Sequence, residues 1–289
     1  MANTINQNVI VPEVYAQLVR DKIVGKVIMS QFNKRLGDLV GKPGETLTMP
    51  SWSYIGDATD WDISTPMDVT QMTQTEKSAT IKAIKAPAVQ VADYDDEVAM
   101  GNAINEAASQ QAIAIARKLD IDTINECLTS PLKVGLASKN EVTQAELLEM
   151  LGVFGDERDA SEFACIAIHS TFATSLYNMD LFVSREKTTV PAGSNNGITY
   201  NGVIGYFLDI PVILSDRLYD SVNAEPFIIM MKKESVSYIP KETPFVETER
   251  VANLRRTNIY ASQFYAVKLT KDDGVVYAKK SLPTQQSGD

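Results

Sequence analysis

Histidine is nearly absent: the 289-residue chain has one, His169. That excludes a multi-histidine metal centre and makes any Ser-His-Asp arrangement depend on a single side chain. Cysteine is scarce too, with only Cys127 and Cys165. Two cysteines cannot build a disulfide scaffold. The opening MANTINQNVIVPEVY lacks the basic start and apolar core of an export signal, so two thiols in a reducing compartment are expected. A Cys127–Cys165 disulfide is the alternative. No apolar run approaches the roughly 18 residues of a membrane-spanning helix. The phosphate loop G-x-x-x-x-G-K-[ST], the G-x-S-x-G elbow and H-E-x-x-H are all missing. Positive charge is in deficit: 27 Lys and Arg stand against 37 Asp and Glu, a net charge of -10. This opposes a general nucleic-acid binder, which needs a positive footprint. It suits a solubilising surface, or a wall lying beside nucleic acid without adhering to it.

The remaining candidates for chemistry have simpler structural readings. His169 ends the apolar run FACIAIH (Phe163–His169), and Ser170 reads as the cap of a short helix over Thr171–Asn178. The two S-x-x-K matches, Ser130–Lys133 and Ser184–Lys187, lack the S-D-N and K-T-G partners that give the pattern meaning. Asp93, Asp95, Asp96 and Glu97 fail the EF-hand spacing. As acids ahead of a long helix, they complement its positive end. The sequence therefore assigns no catalytic residue, no cofactor and no metal.

What is present is a pattern of strands and helices. Period-two alternation marks two strands, Glu45–Tyr54 and Thr75–Val91. Between them Asp57–Gln74 is too polar for a core and too long for an ordinary turn. Two long strands with a loose tip make an arm that needs cover from another subunit. Trp52, Tyr54 and Trp61 are its aromatic anchors. A helix over Val14, Leu18, Ile23, Val27, Ile28 and Phe32, stopped by Gly37 and Gly41, reads as an amphipathic arm apart from the core. Leu18 lies in its apolar stripe. The longest helix spans Asn102–Thr129, with Ile104, Ala107, Ala108, Ala112, Ile115, Leu119 and Leu128 on one side. Thr143 and Glu146 form a capping box ahead of Leu147, Leu148 and Leu151. Ser184–Gly205 reads as a loop. Ile210–Leu214, Pro226–Met231, Ser235–Ile239 and Gln263–Leu269 read as strands, and Phe245–Asn258 as a charged strand. Asp273-Gly274 forms a hairpin turn with Val275–Ala278 returning. Glu247, Glu249, Arg250, Arg255 and Arg256 are either a solvated face or a register-fixing cluster at a symmetric interface. The class is α+β. The early long helix and the late strands form one discontinuous domain, and about 135–235 forms a second.

Four stretches taken in order carry a resemblance: GKPGETLTMPSWSYIGDA (Gly41–Ala58), ADYDDEVAM, GYFLDIPVILSDRL (Gly205–Leu218) and FVETERVANLRRTNIYASQFYAVKL (Phe245–Leu269). Together they resemble the major capsid proteins of tailed bacteriophages, which have the Hong Kong 97 fold. The resemblance implies an N-terminal arm over 1–40 and an extended loop over 41–91 lying on a neighbouring subunit. It implies a peripheral domain over 92–134 and 236–280 with a long spine helix, an axial domain over 135–235, and a tail over 281–289. It further implies self-assembly into pentamers and hexamers around double-stranded DNA, without sequence-specific binding and without a membrane. Separate scaffolding, portal and decoration proteins would be partners. The location would be the virion capsid, assembled in the host bacterial cytoplasm. The assembly interface would use Trp52, Tyr54, Trp61, Leu18, Glu247, Glu249, Arg250, Arg255 and Arg256. An encapsulin-type nanocompartment shell shares the fold and is the alternative. A cytosolic hydrolase built around His169 is the third reading.

Overall fold

A computed structural model describes residues 12–24, 26–39, 41–52, 55, 56, 58, 60, 64, 66, 67, 69–92, 103–156, 158–184, 202–241 and 244–282. Helix α1 (Pro12–Val24) leads through a 3-10 turn to strand β1 (Lys34–Arg35). A hairpin of β2 (Thr46–Trp52) and β3 (Gln74–Thr80) follows, then β4 (Lys82–Lys85), β5 (Val89–Ala92) and the long helix α2 (Ala103–Cys127). The middle of the chain holds β6 (Lys133–Gly135), α3 (Gln144–Gly152), β7 (Phe163–Ile168), the short α4 (Ala173–Tyr177) and β8 (Phe182–Ser184). It continues with β9 (Val203–Phe207), β10 (Ile210–Leu214), β11 (Tyr219–Asp220) and β12 (Glu225–Pro226). The last strands are β13 (Ile228–Lys232), β14 (Val236–Pro240), β15 (Phe245–Val251), β16 (Arg256–Leu269) and β17 (Val275–Lys279).

Two sheets dominate. One has seven strands in the order β6-β17-β13-β7-β10-β9-β8. All six residues of β7 are buried, because both faces of this sheet are covered. Phe163, Ile166 and Ile168 face a core shared with α3 and α4, whereas Ala164, Cys165 and Ala167 face a core shared with α2. A strand covered on both sides reads as a continuous apolar run, which is why FACIAIH is legible in the sequence. The second sheet runs β1-β14-β16-β15, with β4 and β5 also pairing to β16. Helix α2 lies on it. Its stripe of Ala107, Ala108, Ala112 and Ala116 is buried, and side chains this short let the helix approach the strands closely. The capping box at α3 forms as read: the Thr143 hydroxyl accepts from the Glu146 amide, and Glu146 accepts from the Thr143 amide at 2.6 Å. Both cysteines are buried and unbonded, and burial pushes the Cys127 thiol up to about 12.

Several expectations change. Helix α1 does not stand apart as an arm. Tyr15, Val19 and Ile23 are buried in the main core against α2 and the sheet, Leu18 packs half-buried beside them, and Val14 points outward. Nor does α1 continue to Phe32. The amides of Ile28, Met29 and Ser30 all donate to the Asp120 carboxylate, at 3.1, 3.1 and 3.0 Å, instead of to helix carbonyls. The strand pattern over 75–91 breaks at Ile81: β3 stays with β2, while β4 and β5 leave for β16. The charged stretch Phe245–Asn258 is split between β15 and β16 by a 3-10 turn over Ala252–Leu254 and a left-handed Arg255 at φ 49°. Leu148 is exposed, and Val203–Gly205 is strand rather than loop.

Asp273-Gly274 closes no hairpin. From there the chain crosses into the other sheet, where β17 pairs with β13 and β6. The crossing is fixed by buried Ser235, whose hydroxyl donates to the Gly274 and Lys232 carbonyls. A Cβ on Gly274 would sit 2.1 Å from that hydroxyl, so only glycine fits there. Strand Val275–Lys279 therefore lies in the sheet of the middle segment, not with the rest of 236–280.

Candidate assembly surfaces

Among the described residues, the hairpin has a core at its base and exposed apolar side chains farther out. β2 and β3 run antiparallel from Thr46↔Thr80 to Trp52↔Gln74. Met49, Ala79 and Ile81 pack with Leu39, Ile239 and Ala266, so the base is tied to the six-stranded sheet. Beyond it, Ile55, Met67, Val69 and Met72 are exposed, Val69 to 96%. Segment 55–73 also carries Asp57, Asp60, Asp62 and Asp68 and no Lys, Arg or His. Of the three expected anchors, Trp52 ends β2, and its side chain is not among those described. Tyr54 and Trp61 lie outside the described residues, as do Asp93, Asp95, Asp96 and Glu97.

The charged cluster comes together where β15 turns into β16, and much of it is satisfied within the chain. Glu249 accepts from Asn258 Nδ2 at 3.1 Å and from the Tyr260 hydroxyl at 2.9 Å. Those two bonds hold its carboxyl below the usual range and push the Tyr260 hydroxyl up. Arg250 donates to Thr257 Oγ1, and Arg256 donates to Gln90 Oε1 at 2.9 Å. Gln90 in turn donates to Asn258. Glu247 and Arg255 are exposed. The arrangement is a polar ladder across β15, β16 and β5 on a solvent face. Leu18 packs half-buried against the subunit's own core rather than on that solvent face.

His169 is held locally. Its Nδ1 accepts from the Thr171 amide at 3.2 Å and lies 2.8 Å from the Thr171 hydroxyl, and the ring packs at a tilt against Tyr219. His169, not Ser170, is the cap of the 3-10 turn that leads into α4.

Two buried carboxylates on α2 were not singled out in the sequence. Asp120 gathers the three amides of Ile28–Ser30, the Ser30 hydroxyl at 2.7 Å, and Arg217 from the segment after β10. Asp122 accepts from Lys118 at 3.0 Å and from Tyr265 at 2.5 Å, and it faces Lys82 at 3.4 Å. The available signal was a pair of acids inside the helix's last buried turns, Leu119-Asp-Ile-Asp122. Burial works to raise the Asp122 carboxyl, but the Tyr265 and Lys118 hydrogen bonds and the Lys82 charge outweigh it, and the carboxyl sits below its usual value. A carboxylate whose folded value is depressed stabilises the fold above its unfolded value of about 4 and loses that contribution as pH falls through the folded value. Stability in urea should therefore decline below about pH 4. Asp122→Asn should lower stability at pH 7 and flatten that acid limb. An unchanged limb would show that Asp122 does not carry it.

No protein-family model matches the chain. The major capsid protein of Staphylococcus phage phiMR11 is 26% identical over 289 residues, covering 94% of this chain and 97% of that one. A solved chain of Mycobacterium phage Che8 superposes with a TM-score of 0.57 at 16% identity, covering 97% of this chain and 92% of that one. The mature capsid of bacteriophage PhiM1 gives a TM-score of 0.57 at 10% identity, covering 98% and 92%. The α+β fold described above is the fold of phage capsid subunits, of the Hong Kong 97 type.

Proposed function

We propose that this chain is the major capsid protein of a tailed phage, assembling into pentamers and hexamers that close into an icosahedral shell around the genome. The observation that carries this is the end-to-end match to the phiMR11 major capsid protein, in which nearly all of both chains is covered. The same match favours a genome-enclosing shell over a cargo-enclosing compartment. The hairpin adds a physical reason. Exposed apolar side chains at Ile55, Met67, Val69 and Met72 sit beyond a base core that includes Met49. Such a concentration marks an interaction surface.

The mechanism is geometric. Closed symmetry requires the same surfaces to pair repeatedly. Obligate interfaces bury about 2,000–5,000 Å², and a projecting loop supplies that area without enlarging the core. In this reading 41–91 is the extended loop and reaches a neighbouring copy through Trp52, Tyr54 and Trp61. Helix α2 is the spine of a peripheral domain, and 135–235 is the axial domain. Within the proposed arm over 1–40, helix α1 is anchored on the subunit itself. The exposed charges at Glu247, Glu249, Arg250, Arg255 and Arg256 set register between copies. The net charge of -10 keeps the shell from adhering to the double-stranded DNA inside. Scaffolding, portal and decoration proteins are separate partners, and assembly takes place in the host bacterial cytoplasm. His169 has a structural part in this reading, its Nδ1 capping the turn at Thr171.

The test is sedimentation of the chain expressed in bacteria, alone and with its neighbouring phage genes. Closed particles many times the 31.8 kDa subunit are expected. A chain that remains a subunit under every co-expression contradicts the reading.

A further inference from the structure

A groove of about 630 Å³ opens on the six-stranded sheet between the β4–β5 link and β15. Phe245, Glu247, Tyr260 and Ser262 line it, with Lys85, Pro87 and Ala88 along the other side. Register explains the lining. Phe245 pairs with Ser262 and Glu247 with Tyr260, so these four share one face of the sheet. The intervening Val246 and Ala261 point to the other face and are buried in the main core. Phe245 and Tyr260 remain 52% and 43% exposed. β15 is also the last strand of its sheet and pairs only with β16 among the described residues. Exposed aromatics on an open sheet edge are a liability that folded proteins normally cover.

Helix α1 starts beside this edge. It packs on α2 and β15. In its first turn the Tyr15 hydroxyl donates to Gln111 Oε1 at 2.8 Å, and Gln111 Nε2 donates to the carbonyls of Pro87 and Ile259 at 3.1 Å. One glutamine thus links the start of α1 to a residue that lines the groove. Residues 1–11, which lie outside the described residues, join the fold at Pro12. They carry no charged side chain and end in Val9-Ile10-Val11, a β-branched run suited to an extended strand. Eleven extended residues span at most about 36–40 Å, which is ample reach.

We propose that residues 1–11 dock on their own subunit, with Val9–Val11 seated in this groove over Phe245 and Tyr260 and covering the edge at β15. The match is one of chemistry: an uncharged, β-branched segment meets an apolar groove with an open strand edge beside it. It does not depend on shell assembly, because both parts belong to one chain.

The test uses the full chain carrying Ile10→Cys and Phe245→Cys, prepared from equal parts of isotopically heavy and light protein and then oxidised. The native cysteines are buried and do not compete. Expected is a disulfide-linked peptide pair of all-heavy or all-light composition. It should be absent when the second cysteine is at Val222, which is 89% exposed on another turn. Mixed heavy–light pairs would overturn the proposal by making a second copy the occupant. Independently, deleting residues 2–11 should speed hydrogen exchange of the Phe245–Val251 amides at least tenfold while leaving β13 protected. No cross-link together with unchanged exchange would also overturn it.

Discussion

Replacing Asp120 with alanine should destabilise the subunit by about 3–5 kcal/mol, the range for removing one partner of a buried charged network. Asp120 is fully buried and takes bonds from the Ile28, Met29 and Ser30 amides, the Ser30 hydroxyl and Arg217. Alanine would remove the acceptor of three backbone donors, the Ser30 hydroxyl and one guanidinium, of which the Met29 and Ser30 amides are buried. The loss reaches three parts of the molecule at once: the chain leaving α1, the helix α2, and the segment after β10. For a chain of this length the melting temperature should fall on the order of 10 °C. Arg217→Met should cost less, because the carboxylate keeps its four other donors. Urea denaturation of the unassembled subunit checks both variants. A loss below about 1 kcal/mol for Asp120→Ala, the size of an ordinary surface hydrogen bond, would show that the network is not what holds the N-terminal segment.

The second large effect concerns assembly rather than folding. Replacing residues 53–73 with Asn-Gly keeps β2 and β3 in register and supplies the turn that a two-residue hairpin prefers. The base core of Met49, Ala79, Ile81, Leu39, Ile239 and Ala266 is untouched. The urea midpoint of the subunit should therefore hardly move, since shortening a loop changes closure entropy by only about 1 kcal/mol or less. Shell formation should be lost altogether, because Ile55, Met67, Val69 and Met72 are gone. Sedimentation reads assembly and urea reads the fold, so the two effects separate. A full yield of particles from the shortened chain would contradict the assembly role of the hairpin.

Local rules were legible in this sequence, and long-range partners were not. FACIAIH could be read because both faces of β7 are covered. Thr143 and Glu146 could be read because a capping box is closed by residues three apart. The α2 stripe was plain because alanine and isoleucine recur along one side of the helix. The end of α1 was not legible, since its stop is made by Asp120, 90 residues from Ser30. The apparent hairpin at Asp273-Gly274 failed for the same reason. The turn chemistry is right, but Ser235 and the open edges of β13 and β6 decide where β17 goes. The charged cluster was found as a group. Its ladder was not, because Gln90 pairs with Asn258 across 168 residues. Leu18 sits on the apolar side of α1, and no local pattern distinguishes a side covered by its own subunit from one covered by a neighbour.

In the proposed shell, the β2–β3 projection reaches a neighbouring copy. Electron cryomicroscopy of purified particles tests it most directly. Closed shells built of five- and six-membered rings are expected, with density for 53–73 crossing onto the next subunit. Shells in which that segment folds back on its own subunit, or preparations that yield no closed particles, would contradict it.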